Sequence, residues 1–171
     1  MAGKAIGKSM NFGFAGNYAR TPDDIVASRK LAEDSVVVPF GAAVAVAEDN
    51  TYKALAADFK AEDFGGIALR VVKQAVAYDD MNHTAYQPGV MMSALQRGAT
   101  TVVCNAGEPK ANGKVYVRIK ENGSVANGVI GGFEAEADGA NTVELPNVKW
   151  TNGILDANRI AEVTILTRVN P

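Results

Sequence analysis

The fold class is decided by one stretch, Lys114-Val115-Tyr116-Val117-Arg118-Ile119-Lys120. Apolar residues alternate with polar ones along it, which is typical of a half-buried β-strand. The alternation predicts that the two valines and the isoleucine face the core, and that the lysines, the tyrosine and the arginine face outward. Asn112-Gly113 and Asn122-Gly123 bracket the stretch, and Asn-Gly pairs favour tight turns. The sequence therefore predicts a strand between two turns.

Similar short segments follow one another from Val36 to the end of the chain. The 28 valine and isoleucine residues far outnumber the 7 leucines, and β-branched side chains suit a pleated sheet. Residues 90–95 fit a helix or a strand, and we expect Gly98 to end that element. Strands separated by turns predict an all-β body of the β-sandwich or jelly-roll-like kind. The other predicted strand segments are 35–38, 42–46, 64–72, 100–104, 131–136 and 160–169, and residues 145–150 are interpreted as a short apolar segment with a kink.

The first 35 residues lack a sustained helix or strand pattern. We therefore predict an extended N-terminal arm, residues 1–35, ahead of a β body, residues 36–171. Thr21-Pro22-Asp23-Asp24 could start a short helix, with Thr21 as its N-cap and Pro22 in the first turn. An arm of this length can reach a neighbouring subunit. A loose tail and an edge strand of the same domain are the alternatives.

Length and composition restrict the class of protein. The 171 residues, 47% of them hydrophobic, suffice for one domain with a core of ordinary size. The net charge of −2 gives no basis for binding nucleic acid or an anionic membrane. No stretch approaches the roughly 20 apolar residues that span a bilayer, and no signal peptide follows Lys4 and Lys8. We expect a protein made in a cytoplasm, with no membrane partner.

Reactive side chains are scarce. His83 is the single histidine and Cys104 the single cysteine, so neither a nucleophile–histidine pair nor a zinc site is expected; Cys104 is expected in the core. Asp79-Asp80 is interpreted as a solvated turn. Residues 107–115 fail the phosphate-loop pattern, because five residues instead of four separate the glycines. We expect no catalytic residue, no cofactor and no metal.

The order of turn and strand-edge motifs resembles the structural cement proteins of tailed phages, from about Phe14 to Val169. Each motif is weak alone, and their succession carries the resemblance. In chain order the motifs are Gly16-Asn17-Tyr18-Ala19-Arg20-Thr21-Pro22-Asp23, Pro39-Phe40-Gly41, Phe64-Gly65-Gly66-Ile67-Ala68, Tyr86-Gln87-Pro88-Gly89, Gly98 with the strand 100–103, Lys114-Val115-Tyr116-Val117, Gly131-Gly132-Phe133 and Ala161-Glu162-Val163.

The resemblance implies a capsid decoration protein on a β-sandwich or jelly-roll-like body. Such proteins bind the outside of the icosahedral head at junctions between major capsid proteins, commonly as homodimers or homotrimers, and brace the shell. The resemblance implies a virion location after synthesis in the bacterial host, the major capsid protein as partner, and no catalytic residues.

Four residues of the arm are the candidate capsid contacts. Tyr18 and Arg20 are of the types that dominate interface energies, and Phe12 and Phe14 are apolar anchors beside them. The alternative is that these aromatic residues pack on their own domain. Two other functions remain open at this level: a carbohydrate-binding module of a phage head or fibre, and a hydrolase with a carboxylate pair such as Asp79 and Asp80.

Overall fold

A computed structural model describes residues 11–70 and 85–167. Its strands confirm the all-β class, and the described helical segments are two short 3-10 turns, Ala61–Asp63 and Gly139–Asn141. The strands are β1 (Tyr18–Lys30), β2 (Val38–Pro39), β3 (Ala43–Val46), β4 (Tyr52–Ala54), β5 (Phe64–Ala68), β6 (Ala85–Tyr86), β7 (Met91–Val103), β8 (Lys114–Arg118), β9 (Phe133–Glu134), β10 (Thr142–Trp150) and β11 (Ile160–Ile165).

One antiparallel sheet makes up most of the body. Its strands follow the order β4-β3-β5-β7-β11-β10-β8-β9, β1 pairs with β7 in addition, and β2 pairs with β6 separately. Both ends of the series are covered: Leu31 bridges to Tyr52 on β4, and Cys104 bridges to Phe133 on β9. The sheet therefore curls, which protects its terminal strands from unwanted pairing. This architecture agrees with a jelly-roll-like body.

Two apolar clusters fill the interior. The larger contains Val115, Val117, Trp150 and Cys104 among its buried members, as the alternation of the deciding stretch and the single cysteine predict. The smaller gathers around Leu31, and it includes Tyr52, Val44, Met92 and Tyr86. Strand β7 supplies Leu95 to the first cluster and Ala94 to the second, because neighbouring residues of a strand point to opposite faces.

The prediction that Gly98 ends an element is wrong. Residues 91–103 form one uninterrupted strand, so the segment before Gly98 is strand and not helix. Gly98 has a φ of +112°, and a Cβ atom there would lie 2.7 Å from the carbonyl oxygen of Asp23. The β1–β7 ladder loses its register between Arg20 and Ile25. Gly98 is required because the chain of β1 passes directly against it.

The helix predicted at Thr21–Asp24 is also wrong, because these residues lie within β1. The N-terminal segment was predicted as an extended arm, with a loose tail or a strand of its own domain as alternatives. Residues 18–30 form such a strand, β1, which pairs with β7 of the same chain. Beyond the irregular part, residues Val26–Lys30 pair in regular register with β7. Thr21–Asp24 itself lies in the irregular part, between the paired residues Arg20 and Ile25. Whether 1–35 and 36–171 behave as separate units stays a prediction.

Some predicted features lie outside the described residues: His83, Asp79 and Asp80 fall within 71–84. The turn at Asn112-Gly113 is confirmed, since the amide of Gly113 donates to the carbonyl of Lys110 at 2.8 Å. Within the described ranges no helix is long and apolar enough to cross a membrane.

Replacement of Gly98 tests the close approach of β1. Gly98→Ala should lower the free energy of unfolding by roughly 2–4 kcal/mol, because the methyl group meets the Asp23 carbonyl and φ is unfavourable for alanine. Gly123→Ala is the matched control, since no atom lies within 4 Å of its added Cβ, and it should change stability by less than about 0.5 kcal/mol. Urea unfolding measures both variants, and equal effects would contradict the packing described.

Candidate functional site

The N-terminal segment is attached to β7 before β1 begins. The amide of Gly16 donates to the carbonyl of Thr101 at 2.6 Å, and the amide of Thr101 donates to the carbonyl of Asn17 at 3.1 Å. The Thr101 hydroxyl donates to the carbonyl of Phe14 at 2.7 Å, and the amide of Arg70 donates to the carbonyl of Gly16 at 2.9 Å. Residues 14–17 are therefore held at a defined position on the body.

The structure brings two of the predicted contact residues to the surface as apolar groups. Phe14 is 61% exposed and Tyr18 is 47% exposed. The Arg70 guanidinium carbon lies 4.1 Å from the centre of the Phe14 ring, so one side of that ring carries a cation–π contact. Partial burial, followed by the charge of Asp24, raises the pKa of Tyr18, and its hydroxyl therefore stays protonated at neutral pH.

The other two predicted contact residues bind the body through polar groups. The backbone amide of Phe12 donates to Asp156 Oδ2 at 3.0 Å, and its side chain is half-buried. The Arg20 guanidinium Nε donates to Glu162 Oε1 at 2.6 Å, and the Arg20 side chain remains 64% exposed. All four residues thus lie on the described surface, and the exposed parts of Phe14, Tyr18 and Arg20 are accessible to a partner.

Arg118 lies on the outer face of β8, as alternation predicts, but its side chain is not exposed. Arg118 is fully buried. Arg118 Nε donates a hydrogen bond to Glu134 Oε1 at 2.5 Å, and Arg118 Nη2 donates one to Glu134 Oε2 at 2.9 Å. Its Nη1 donates to Asp138 Oδ2 at 2.8 Å. The outer face is covered at this point by the chain that follows β8, because a Cβ atom on Gly128 would lie 2.7 Å from Arg118 Nε.

Asp138 joins this buried cluster to two loops. Its carboxylate accepts hydrogen bonds from the Asn122 amide at 2.8 Å and from the Asn141 amide at 3.3 Å. The hydrogen bonds from Asn122 and then Arg118 lower the pKa of Asp138. The loop between β8 and β9, which carries Asn122, also contains Val129, which is 53% exposed. The cluster therefore fixes the shape of a surface loop, and the sequence offered no sign of it beyond the presence of acidic residues downstream of Arg118.

Catalytic geometry is not found in the described residues. Within 11–70 and 85–167 no group of three or more histidine, cysteine, aspartate or glutamate side chains could hold a metal ion. Cys104 is buried, and burial raises the pKa of its thiol, which disfavours the nucleophilic thiolate. Glu108, Lys110 and Glu136 border a shallow cleft beside Trp150.

Comparison with known proteins decides the family. The model of the family described as structural cement protein (E217 gp24/Pam3 gp6) matches residues 3–166. The chain belongs to this family. The family predicted from the motif order is therefore confirmed, and the cement protein is a structural component of a phage virion that associates with capsid proteins. The family is structural and normally not enzymatic.

A solved structure supports the fold. A chain of the capsid of Myoviridae phage XM1 superposes with a TM-score of 0.67 at 14% sequence identity, covering 96% of each chain. At this identity the similarity establishes a shared fold. No curated protein matches the cement protein's sequence.

Removal of the buried guanidinium tests the role of Arg118. Arg118→Ala should lower the free energy of unfolding by about 3–5 kcal/mol, because Glu134 is left charged and buried without a partner. Arg97→Ala is the control: it breaks an exposed pair with Asp23 and should cost less than about 1 kcal/mol. Denaturant unfolding measures both, and a similar loss in the two variants would show that the buried cluster has no special role.

The pH dependence of stability tests Asp138. Because folding lowers its pKa, its carboxylate stabilises the fold above the unfolded-state value of about 3.9, and this contribution is lost as pH falls through the folded value. Asp138→Asn should therefore be less stable than wild type at pH 7, and the difference should shrink towards pH 3. Urea titrations at both values measure it; a difference independent of pH would contradict the assignment.

Proposed function

We propose that this cement protein binds the outer surface of an assembled phage head, at junctions between major capsid proteins, and stabilises the shell. The observation that carries the proposal is the pair of exposed aromatic residues, Phe14 and Tyr18, on a segment hydrogen-bonded to β7, in a protein of the cement family. Exposed aromatic side chains beside an arginine supply the residue types that dominate protein–protein binding energies.

The attachment of this segment favours binding. Because residues 14–17 are already held through Thr101 and Arg70, little backbone entropy remains to be lost when a partner covers Phe14. Phe12, Phe14, Tyr18 and Arg20 are therefore proposed as capsid contacts, with Arg20 keeping its bond to Glu162.

Self-association completes the proposal. A homodimer or homotrimer contacts two or more capsid subunits at once, and the second contact is then effectively intramolecular, so modest individual contacts give strong overall binding. The protein is proposed to be made in the host cytoplasm and to join the shell from outside. The proposal requires no cofactor, nucleic acid or membrane.

Shell binding tests the proposed function. Wild-type protein should co-sediment stoichiometrically with expanded shells of the major capsid protein and raise the temperature at which they disrupt. Phe14→Ser/Tyr18→Ser should weaken this binding by about tenfold or more, since removal of interface anchors costs at least 1–2 kcal/mol. The matched control is Val36→Ser, which removes an apolar side chain that is 69% exposed outside the N-terminal segment 11–20.

The outcomes separate the parts of the proposal. A wild-type protein that ignores expanded shells contradicts the capsid function. Normal binding by the double variant leaves that function standing and shows that Phe14 and Tyr18 are not the contacts. A glycan array that captured the wild-type protein would support the carbohydrate-binding alternative instead.

A further inference from the structure

A row of directly opposed residues crosses the sheet from β1 to β8. Arg20 lies opposite Ala99, and Ala99 lies opposite Thr164. Thr164 in turn lies opposite Lys149, which lies opposite Lys114. Residues opposed in this way share a face of the sheet. The register thus places three cations, Arg20, Lys149 and Lys114, in one line across five strands; we refer to these three as the cationic row.

The cationic row lies on the outer face of the sheet. The residues that precede or follow its members along the strands, Val115, Trp150 and Val163, belong to the larger core cluster. Because side chains alternate between the two faces, Lys114, Lys149 and Thr164 point away from that core. The Arg20 guanidinium reaches Glu162, which lies two residues before Thr164 and so shares its face.

Carboxylates neutralise only two of the three cations. Arg20 pairs with Glu162 at 2.6 Å, and Lys114 pairs with Glu144 at 2.8 Å. Lys149 is half-buried, and no carboxylate of the described residues lies within salt-bridge distance of it. Lys149 also lies opposite Lys114 in the β10–β8 register, after an irregularity in that ladder between Glu144 and Lys149. Among the described residues, Lys149 is therefore a positive charge with no paired carboxylate.

We propose that Lys149, together with Lys114, receives a carboxylate from an acidic segment of the major capsid protein. The inference rests on the proposed function and names part of the surface that performs it. In a protein of net charge −2, a lysine that pairs with no carboxylate of the described residues favours an acidic partner by charge complementarity. Arg20 lies on β1 two residues after the exposed Tyr18.

Charge variants of Lys149 test the inference in the shell co-sedimentation assay. Lys149→Gln should weaken shell binding by about tenfold at low salt, with a smaller loss as salt is raised, because the lost contact is a charge pair. Lys149→Arg keeps the charge and should retain most of the affinity. Lys53→Gln is the matched control and should bind like wild type. It removes an exposed lysine of β4 that pairs with Asp34.

Stability separates a binding role from a structural one. Because Lys149 forms no salt bridge among the described residues, Lys149→Gln should leave the midpoint of thermal unfolding close to that of wild type. A lowered midpoint accompanied by weak binding of both Lys149 variants would overturn the inference, since the residue would then act through folding.

The remaining outcomes show whether the proposed function or only the inference is wrong, and whether the partner is an acidic protein segment or any polyanion. Wild-type protein that fails to bind shells overturns the proposed function itself. Equal binding by wild type and Lys149→Gln overturns only the inference. A hexaglutamate peptide should compete with the shells for wild-type protein more strongly than for Lys149→Gln. If a short DNA duplex of equal total charge competes as well as the peptide, the surface is a general polyanion site and the assignment to an acidic protein segment is wrong.

Discussion

The structure depends on the continuity of β7. This strand pairs with β1, β5 and β11, and its two faces contribute to the two core clusters through Leu95 and Ala94. A break at Gly98 would separate the part of β7 that pairs with β5 from most of the part that pairs with β11. The strand persists because glycine adopts the positive φ there and leaves space for Asp23.

The buried charges of Arg118 and Glu134, together with the half-buried Asp138, have a different role from that of β7. Ion pairs of this kind are costly to desolvate, and apolar residues of similar volume often stabilise a fold as well. What the cluster supplies is a defined arrangement of the loops that carry Asn122 and Asn141. A protein that functions through its outer surface benefits from loops held in one conformation, because less entropy is then lost on binding.

The same reasoning explains how a protein without evident catalytic geometry in its described residues can serve a virion. The proposed contacts are small and distributed: Phe14 and Tyr18 near the start of β1, and Lys149 with Lys114 on the outer face of the sheet. In the proposed function each contributes modestly on its own, and together on a rigid body they bridge neighbouring subunits. The hydrogen bonds that fix residues 14–17 to Thr101 connect the fold directly to this proposed use.

Local patterns were sufficient for part of this picture. Alternation predicted β8, the turn at Asn112-Gly113 and the burial of Val115 and Val117, because the two-residue period of a strand is a property of neighbouring residues. The order of turn motifs predicted the family, since turns depend on the few residues that form them. The burial of Cys104 followed from its apolar surroundings in the sequence.

Features that depend on distant segments could not be obtained in this way. Alternation assigns Arg118 to the outer face correctly, but only the folded chain shows that the loop containing Gly128 covers that face. In the sequence, Gly98 predicts the end of an element. The structure shows that β7 continues through it and that the glycine makes room for the backbone of Asp23. Thr21–Asp24 favours a helix in isolation, but it lies within β1 because the residues on both sides of it pair with β7. The opposition of Lys149 and Lys114 exists only in the register of β10 and β8. In each case the physical reason is that burial and pairing are set by contacts between residues far apart in the chain.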